Sequence, residues 1–206
     1  ILGGGSWGTA LAVHLAKKHE VRVWEFVEKK ARVMQKKRKF ALLKNKLLPR
    51  DIFVSSDMSE VILDCELILI AVPSDKVEVT IKRAGKFLAK QPVIICSKGF
   101  SKGLKLLSDV VKNNVAGKVY CLYGPTHAEE VSRGMLSGIV LAGGRGKEEI
   151  KKELESDKFK IELSNDLVGV QVASSLKNVV AIFVGMVDGA NLGDNAMAYA
   201  ITKGLA

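Results

Sequence analysis

Short apolar runs alternate with segments of helical periodicity along most of the chain. Residues 21–26 read as a strand, as do 67–72, 93–96 and 118–122. Segment 67–72 is apolar at every position, as a strand covered on both faces of a parallel sheet must be. Between these runs the spacing predicts helices over 7–18, 28–37, 57–63, 75–88 and 104–113. Strand, helix and strand in this order predict an α/β fold, a largely parallel sheet wound with crossover helices.

The pattern changes after Leu163. Asn165-Asp166 offers a helix start, and 167–187 is mostly apolar, interrupted by Lys177 and Asn178. A further helix rich in Ala and Met is expected over 194–206. A domain boundary is expected near Ser164, giving units 1–164 and 165–206. The second is about 40 residues, roughly the size below which chains rarely fold alone. It reads as the first helices of an all-α C-terminal domain, truncated at residue 206. Ile1-Leu2 reads as the tail of a strand begun earlier. The expectation is a fragment, cut at both ends.

Composition narrows the classes. The 206 residues are 48% hydrophobic and 26% charged, a globular balance that argues against disorder. Apolar stretches such as 67–73 fall short of the roughly 18–20 residues of a membrane span, so no stable membrane insertion is expected. No secretory signal is visible. Cys65, Cys96 and Cys121 are far apart with no CxxC spacing, as in a reduced cytoplasmic protein. The net charge of +10 concentrates in 29–46. Such a run suits polyanions, small anionic substrates or plain solvent. No aromatic residues interleave it, so no nucleic-acid partner is expected. His14, His19 and His127 show no ligand spacing, and no metal is expected.

The first chemical signal is Gly3-Gly4-Gly5-Ser6-Trp7-Gly8, a GxGxxG turn after a strand tail and before a helical pattern, with Glu25 twenty residues beyond Gly5. That context makes it a dinucleotide-binding fingerprint of the Rossmann type. Gly3 allows the tight turn, Gly5 lets the backbone approach a pyrophosphate, and Gly8 lets helix and strand pack closely. The helix start supplies free N–H groups to the anion. A carboxylate at Glu25 accepts hydrogen bonds from the ribose hydroxyls of NAD(H) and repels the 2′-phosphate of NADP(H). Lys29 and Lys30 offset part of that repulsion, which leaves NADP(H) as the second cofactor.

Ligands of open parallel sheets bind at the carboxyl ends of strands. Pro73-Ser74, Ser97-Lys98-Gly99 and Gly124-Pro125-Thr126-His127-Ala128 each follow a strand there. Glu129 and Glu130 suit the first turn of a helix. Lys177 lies within an apolar helical run and is either snorkelling or functional; burial and nearby cations lower a lysine pKa toward the range of proton transfer.

These segments resemble NAD(P)-dependent glycerol-3-phosphate dehydrogenases of the bacterial type. The likeness rests on 3–12, Ala-Val-Pro-Ser at 71–74, Ser-Lys-Gly-Phe at 97–100 and Gly-Pro-Thr-His-Ala-Glu-Glu-Val at 124–131. It continues through Ser-Leu-Lys-Asn at 175–178 and Asp-Gly-Ala-Asn-Leu-Gly-Asp-Asn-Ala at 188–196. The resemblance implies reversible reduction of dihydroxyacetone phosphate to sn-glycerol 3-phosphate, for glycerophospholipid synthesis. It implies that Lys177 is catalytic with Lys98 assisting, and that Ser6, Trp7, Pro73, Lys98 and Ala128 meet the cofactor. Lys98, Gly124, Thr126, Lys177 and Asn178 would meet the substrate, and a homodimer is expected. An acidic catalytic partner and a phosphate-gripping Arg-Asn pair would lie beyond residue 206. Gln171, Ser174, Lys203 and Leu47 depart from the family's usual residues. Two other readings stand beside this one. One is a related dehydrogenase acting on a 3-hydroxy acid or a ketopantoate-like substrate. The other is a non-enzymatic dinucleotide- or nucleic-acid-binding module.

Overall fold

A computed structural model describes residues 1–40 and 47–206. Lys44 and Lys46 of the basic stretch lie outside the described residues. Along the chain run α1 (Ser6–Leu15), β1 (Val21–Trp24), α2 (Glu28–Lys37), β2 (Ile52–Ser55), α3 (Met58–Ile62), β3 (Ile68–Ile70) and α4 (Ser74–Ala84). There follow β4 (Val93–Ile95), α5 (Leu107–Lys112), β5 (Val119–Tyr123), α6 (Ala128–Arg133), β6 (Ser137–Ala142), α7 (Lys147–Leu154) and β7 (Phe159–Ser164). Two helices, α8 (Leu167–Gly189) and α9 (Asp194–Leu205), end the chain.

Leu2 is the seam of the sheet. It bridges Trp24 of β1 and Ile70 of β3, in parallel with both. It thereby joins the pair β1-β2 to the set β3-β4-β5-β6-β7. All strand pairs are parallel except β5-β6, so the architecture is Rossmann-like and largely parallel, as expected.

Alternate residues of the central strands feed two cores. Ile94, Tyr120 and Leu122 face Leu11, Leu15 and Val131 on one side. Val93, Ile95 and Cys121 face Met58, Ile81 and Leu107 on the other. Burial on both faces is the physical reason these strands are apolar throughout.

The structure corrects several boundaries. The expected helix over 104–113 starts only at Leu107, because Ser101 pairs back with Lys105 and Leu104 takes a left-handed φ of 58°. Strands β2, β6 and β7 and helix α7 had no expectation. β7 has Phe159 and Ile161 buried with Lys160 and Glu162 exposed, the alternation of a strand covered on one face at the sheet edge. Cys65 is half-buried, whereas Cys96 and Cys121 are buried, and all three are free.

The expectation drawn from short apolar stretches also needs correcting. Helix α8 is long and apolar enough to cross a membrane, by length and composition. Lys177 and Asn178 stand at its midpoint, however, where a charge is expensive in hydrocarbon. Its amino-terminal part is held by protein. Asp166 caps it by accepting from Gly169 N at 2.7 Å. Gln171 is buried among hydrogen bonds, with Nε2 donating to Leu167 O. Beyond Ser174 much of the helix is exposed, including Val179, Ile182, Phe183 and Met186.

Candidate active site

The Gly-rich turn lies between Leu2 and α1. Gly3 has φ of 127°, and a Cβ there would stand 2.6 Å from Ala71 O. A Cβ on Gly8 would meet Gly3 O at 2.0 Å, so turn and helix require glycine at both positions. At Gly5 the opposite holds: nothing lies within 4 Å of a Cβ position, and this face of the turn is open. Gly5 caps α1 without any side-chain hydrogen bond. The first turn of α1, whose N–H groups no side chain caps, lies beside this open face, as an anion site requires. These features fit a dinucleotide pyrophosphate. Ser6 and Trp7 open the helix, and Trp7 Nε1 is buried without a partner among the described residues.

Glu25 follows β1 and reaches back to this turn. Its Oε2 would be 2.7 Å from a Cβ on Gly4, and its Oε1 accepts from Val27 N at 3.0 Å. Backbone hydrogen bonding of Glu25 N to Ser55 O fixes the strand end. Phe26 comes next and is 70% exposed, set edge-on to Trp24 at 5.9 Å between centroids. The sequence pattern places Phe26 in the strand, whereas β1 ends at Trp24 and Phe26 stands exposed just past it.

Lys98 is held by its neighbours. Ser97 is buried; its Oγ donates to Ile70 O at 3.3 Å and its carbonyl accepts from the Tyr123 hydroxyl at 2.7 Å. The backbone at Lys98 is thus pinned between β3 and β5. From sequence Ser97 is read only as part of the Ser97-Lys98-Gly99 strand end, and Tyr123 is not singled out, since their partners lie far along the chain. Lys98 Nζ stands 5.5 Å from the Trp7 ring centroid, a cation–π contact. Burial first, and then the charge of Lys177, hold its ammonium below the usual lysine range.

Lys177 reaches this place from α8. It is exposed, and its Nζ donates to Asn178 Oδ1 at 2.9 Å. Among the described residues Lys177 is exposed, and the half-buried lysine at the strand ends is Lys98. The helix face carrying Lys177 is open, whereas Lys98 sits at the floor of the strand ends. Ser174, one turn earlier on α8, is buried, and its hydroxyl has no partner among the described residues.

The remaining positions are placed as follows. Pro73 caps α4, and a Cβ on Gly99 would lie 2.8 Å from Ser74 Oγ, so the Lys98 loop crosses the start of α4. Gly124 runs against the backbone of Gly138 and Ile139. Thr126 Oγ1 is buried without a partner among the described residues. Ala128 begins α6, with Glu129 and Glu130 in its first turn. His127 is exposed and makes no side-chain cap.

Comparison with known proteins gives one answer. The family model of the NAD-dependent glycerol-3-phosphate dehydrogenase N-terminus matches residues 1–149, and that of the C-terminus matches 166–206. A glycerol-3-phosphate dehydrogenase (NAD(P)+) of Chlorobium luteolum is 36% identical over 216 residues, covering 100% of this chain and 65% of the relative. One from Agathobacter rectalis is 36% identical, over 100% of this chain and 63% of its own length. The crystal structure of glycerol-3-phosphate dehydrogenase from Coxiella burnetii superposes with a TM-score of 0.92 at 33% identity, over 99% of this chain and 65% of that one. The chain thus spans a little under two thirds of these relatives.

Proposed function

The chain belongs to the NAD-dependent glycerol-3-phosphate dehydrogenase family, and from that premise we propose that the whole protein reversibly reduces dihydroxyacetone phosphate to sn-glycerol 3-phosphate. The observation that carries the reading is Lys98, its ammonium 5.5 Å from the Trp7 ring beside the dinucleotide turn and near enough to Lys177 for the second charge to hold its pKa down. Two ammonium groups at one opening suit a ketone oxygen and an anionic substrate.

Bound NADH supplies the hydride that adds to the ketone carbon. The chain's own residues do the rest. Negative charge grows on the carbonyl oxygen as its π bond breaks. Lys177 donates a proton to that oxygen, and solvent returns one to its open side. Lys98, fixed on the strand ends, binds the substrate and stabilises the developing charge. Its hydrogen bond to the oxygen strengthens as that charge grows, while the proton itself comes from Lys177. Gly124, Thr126 and Asn178 would line the substrate; Gly3, Gly5, Ser6, Trp7, Gly8, Pro73 and Ala128 would hold the cofactor. Glu25, aimed at the turn, supports NAD(H) over NADP(H).

The residue at the midpoint of α8 supports a protein-facing helix and a non-membrane enzyme. Three free cysteines support a cytoplasmic setting, where the product would feed glycerophospholipid synthesis. The exposed apolar side of α8 and α9 supports cover by further helices of the whole protein, since such a face gains free energy when covered, and a homodimer is proposed beside it. We read 1–164 as the dinucleotide domain and 165–206 as part of a helical one.

The test is turnover by the full-length protein with dihydroxyacetone phosphate and NADH, beside Lys177→Ala. The variant is expected to lose about 10²–10⁴-fold in kcat. Undiminished activity would remove Lys177 from the chemistry. Absence of turnover by the unaltered protein would remove the substrate.

A further inference from the structure

Ser174 holds a hydroxyl that its own helix does not use. A buried serine in a helix ordinarily donates to the carbonyl four residues back. Its neighbour does so: Ser175 Oγ donates to Gln171 O at 2.8 Å. Thr202 on α9 does the same, to Ala198 O at 2.8 Å. Ser174 is 9% exposed, yet its Oγ has no partner anywhere among the described residues. A hydroxyl withdrawn from water and left unpaired costs free energy, so such a group in a folded protein calls for a ligand.

Its position says which ligand. Ser174 and Lys177 are three apart on α8, hence neighbours on one helix face with Cβ atoms about 5–6 Å apart. Helix α8 packs on β5, with Ser174 buried and Lys177 exposed. Lys177 in turn acts electrostatically on Lys98 at the strand ends. A molecule whose ketone oxygen meets Lys177 brings the group on the adjacent carbon to Ser174. The phosphate of the substrate needs charge, which a lone hydroxyl lacks. The hydroxymethyl group is neutral and matches a neutral hydroxyl in both directions of donation.

We propose that Ser174 is a specificity-determining residue that hydrogen-bonds the free hydroxyl of the phosphorylated ketone, one turn below the proton-donating Lys177. This rests on the function proposed above. It adds that the site selects α-hydroxy ketones over ketones lacking the hydroxyl, because the latter leave Ser174 buried and unpaired.

The experiment compares two substrates on the full-length protein: dihydroxyacetone phosphate, and its analogue with a methyl group in place of the hydroxymethyl group. Kinetics are measured for the unaltered protein, Ser174→Ala and Ser174→Gly, with NADH affinity and melting temperature followed alongside. The unaltered protein is expected to prefer the hydroxylated ketone by roughly tenfold or more in kcat/KM. Both variants are expected to lose most of that preference, chiefly through a higher KM for the hydroxylated ketone, with NADH affinity retained. Equal losses on both ketones would mean a purely structural role and overturn the proposal. So would an unchanged preference. If one variant fails to fold, the other decides. No turnover of either ketone by the unaltered protein would instead overturn the proposed function, and this inference with it.

Discussion

Gln171 and Ser108 hold each other at both ends of one amide. Gln171 Oε1 accepts from Ser108 N at 3.0 Å, and Nε2 donates to Ser108 Oγ at 2.9 Å. Ser108 N is one of the free N–H groups at the start of α5, so Gln171 caps that helix from across the fold. Gln171 is only 2% exposed, and the same Nε2 also meets Leu167 O at 2.9 Å. The contact ties α8, and with it Lys177, to the sheet. Gln171→Ala leaves buried groups on α5 unpaired and is expected to cost about 1–3 kcal/mol. Denaturant titration checks the stability. Activity in the folded variant should fall as well, since Lys177 loses its anchor two turns away.

Glu25 predicts the cofactor preference. Its carboxylate sits against the Gly-rich turn and already accepts from Val27 N. A 2′-phosphate brought there meets a like charge at close range. Glu25→Ser is expected to shift the kcat/KM ratio of NADPH to NADH upward by about tenfold or more, a change of roughly 1.4 kcal/mol in relative transition-state binding. Steady-state assays with each cofactor measure it, and an unmoved ratio would mean that Glu25 does not face the ribose.

Gly8 predicts a coupling of stability to dinucleotide binding. Any Cβ there strikes Gly3 O, which belongs to the turn backbone and has no side chain to yield. Gly8→Ala must push α1 off the strand end. The expected cost is about 2 kcal/mol or more. NADH binding, followed by Trp7 fluorescence, should weaken strongly because the free N–H groups move with the helix.

His14 predicts an acid limit to stability. Its Nε2 bonds Leu154 O at 2.7 Å, while Lys18 Nζ donates to Glu155 O and His19 bonds Glu153 O. The end of α1 thus caps the end of α7 with three side chains. Burial first, with Lys17, Lys18 and His19 adding to it, holds His14 below its ordinary value of 6.5, while the Leu154 carbonyl opposes. The folded state therefore binds the proton less readily than the unfolded chain. The His14 contribution is fully present above the unfolded pKa and is lost as pH falls from there through the folded pKa. Melting temperature should drop from pH 8 to pH 5 more in the unaltered protein than in His14→Gln, which keeps a donor but cannot titrate.

Local pattern alone set much of this protein. The helix expected over 28–37 is α2 with the same ends, because its period and its carboxyl-terminal lysines are local properties. The glycine turn, the strand ends after it and the helix start at Asp166 are likewise written in neighbouring residues. A strand covered on both faces needs apolar residues everywhere, so β3, β4 and β5 stood out from the chain. β6 and β7 did not. Ser137 and Gly138 open one, polar residues alternate through the other, and their pairing depends on partners elsewhere in the chain.

The site divides in the same way. The residue types and the strand ends were readable, but which lysine is desolvated was not. Lys98 and Lys177 are 79 positions apart, and only the packing of α8 on β5 brings the charge of Lys177 within reach of the half-buried Lys98. Ser174 and Ser175 are identical letters side by side. One satisfies its own helix and one does not, because a helix turns its successive residues by about 100° and the fold covers only one side.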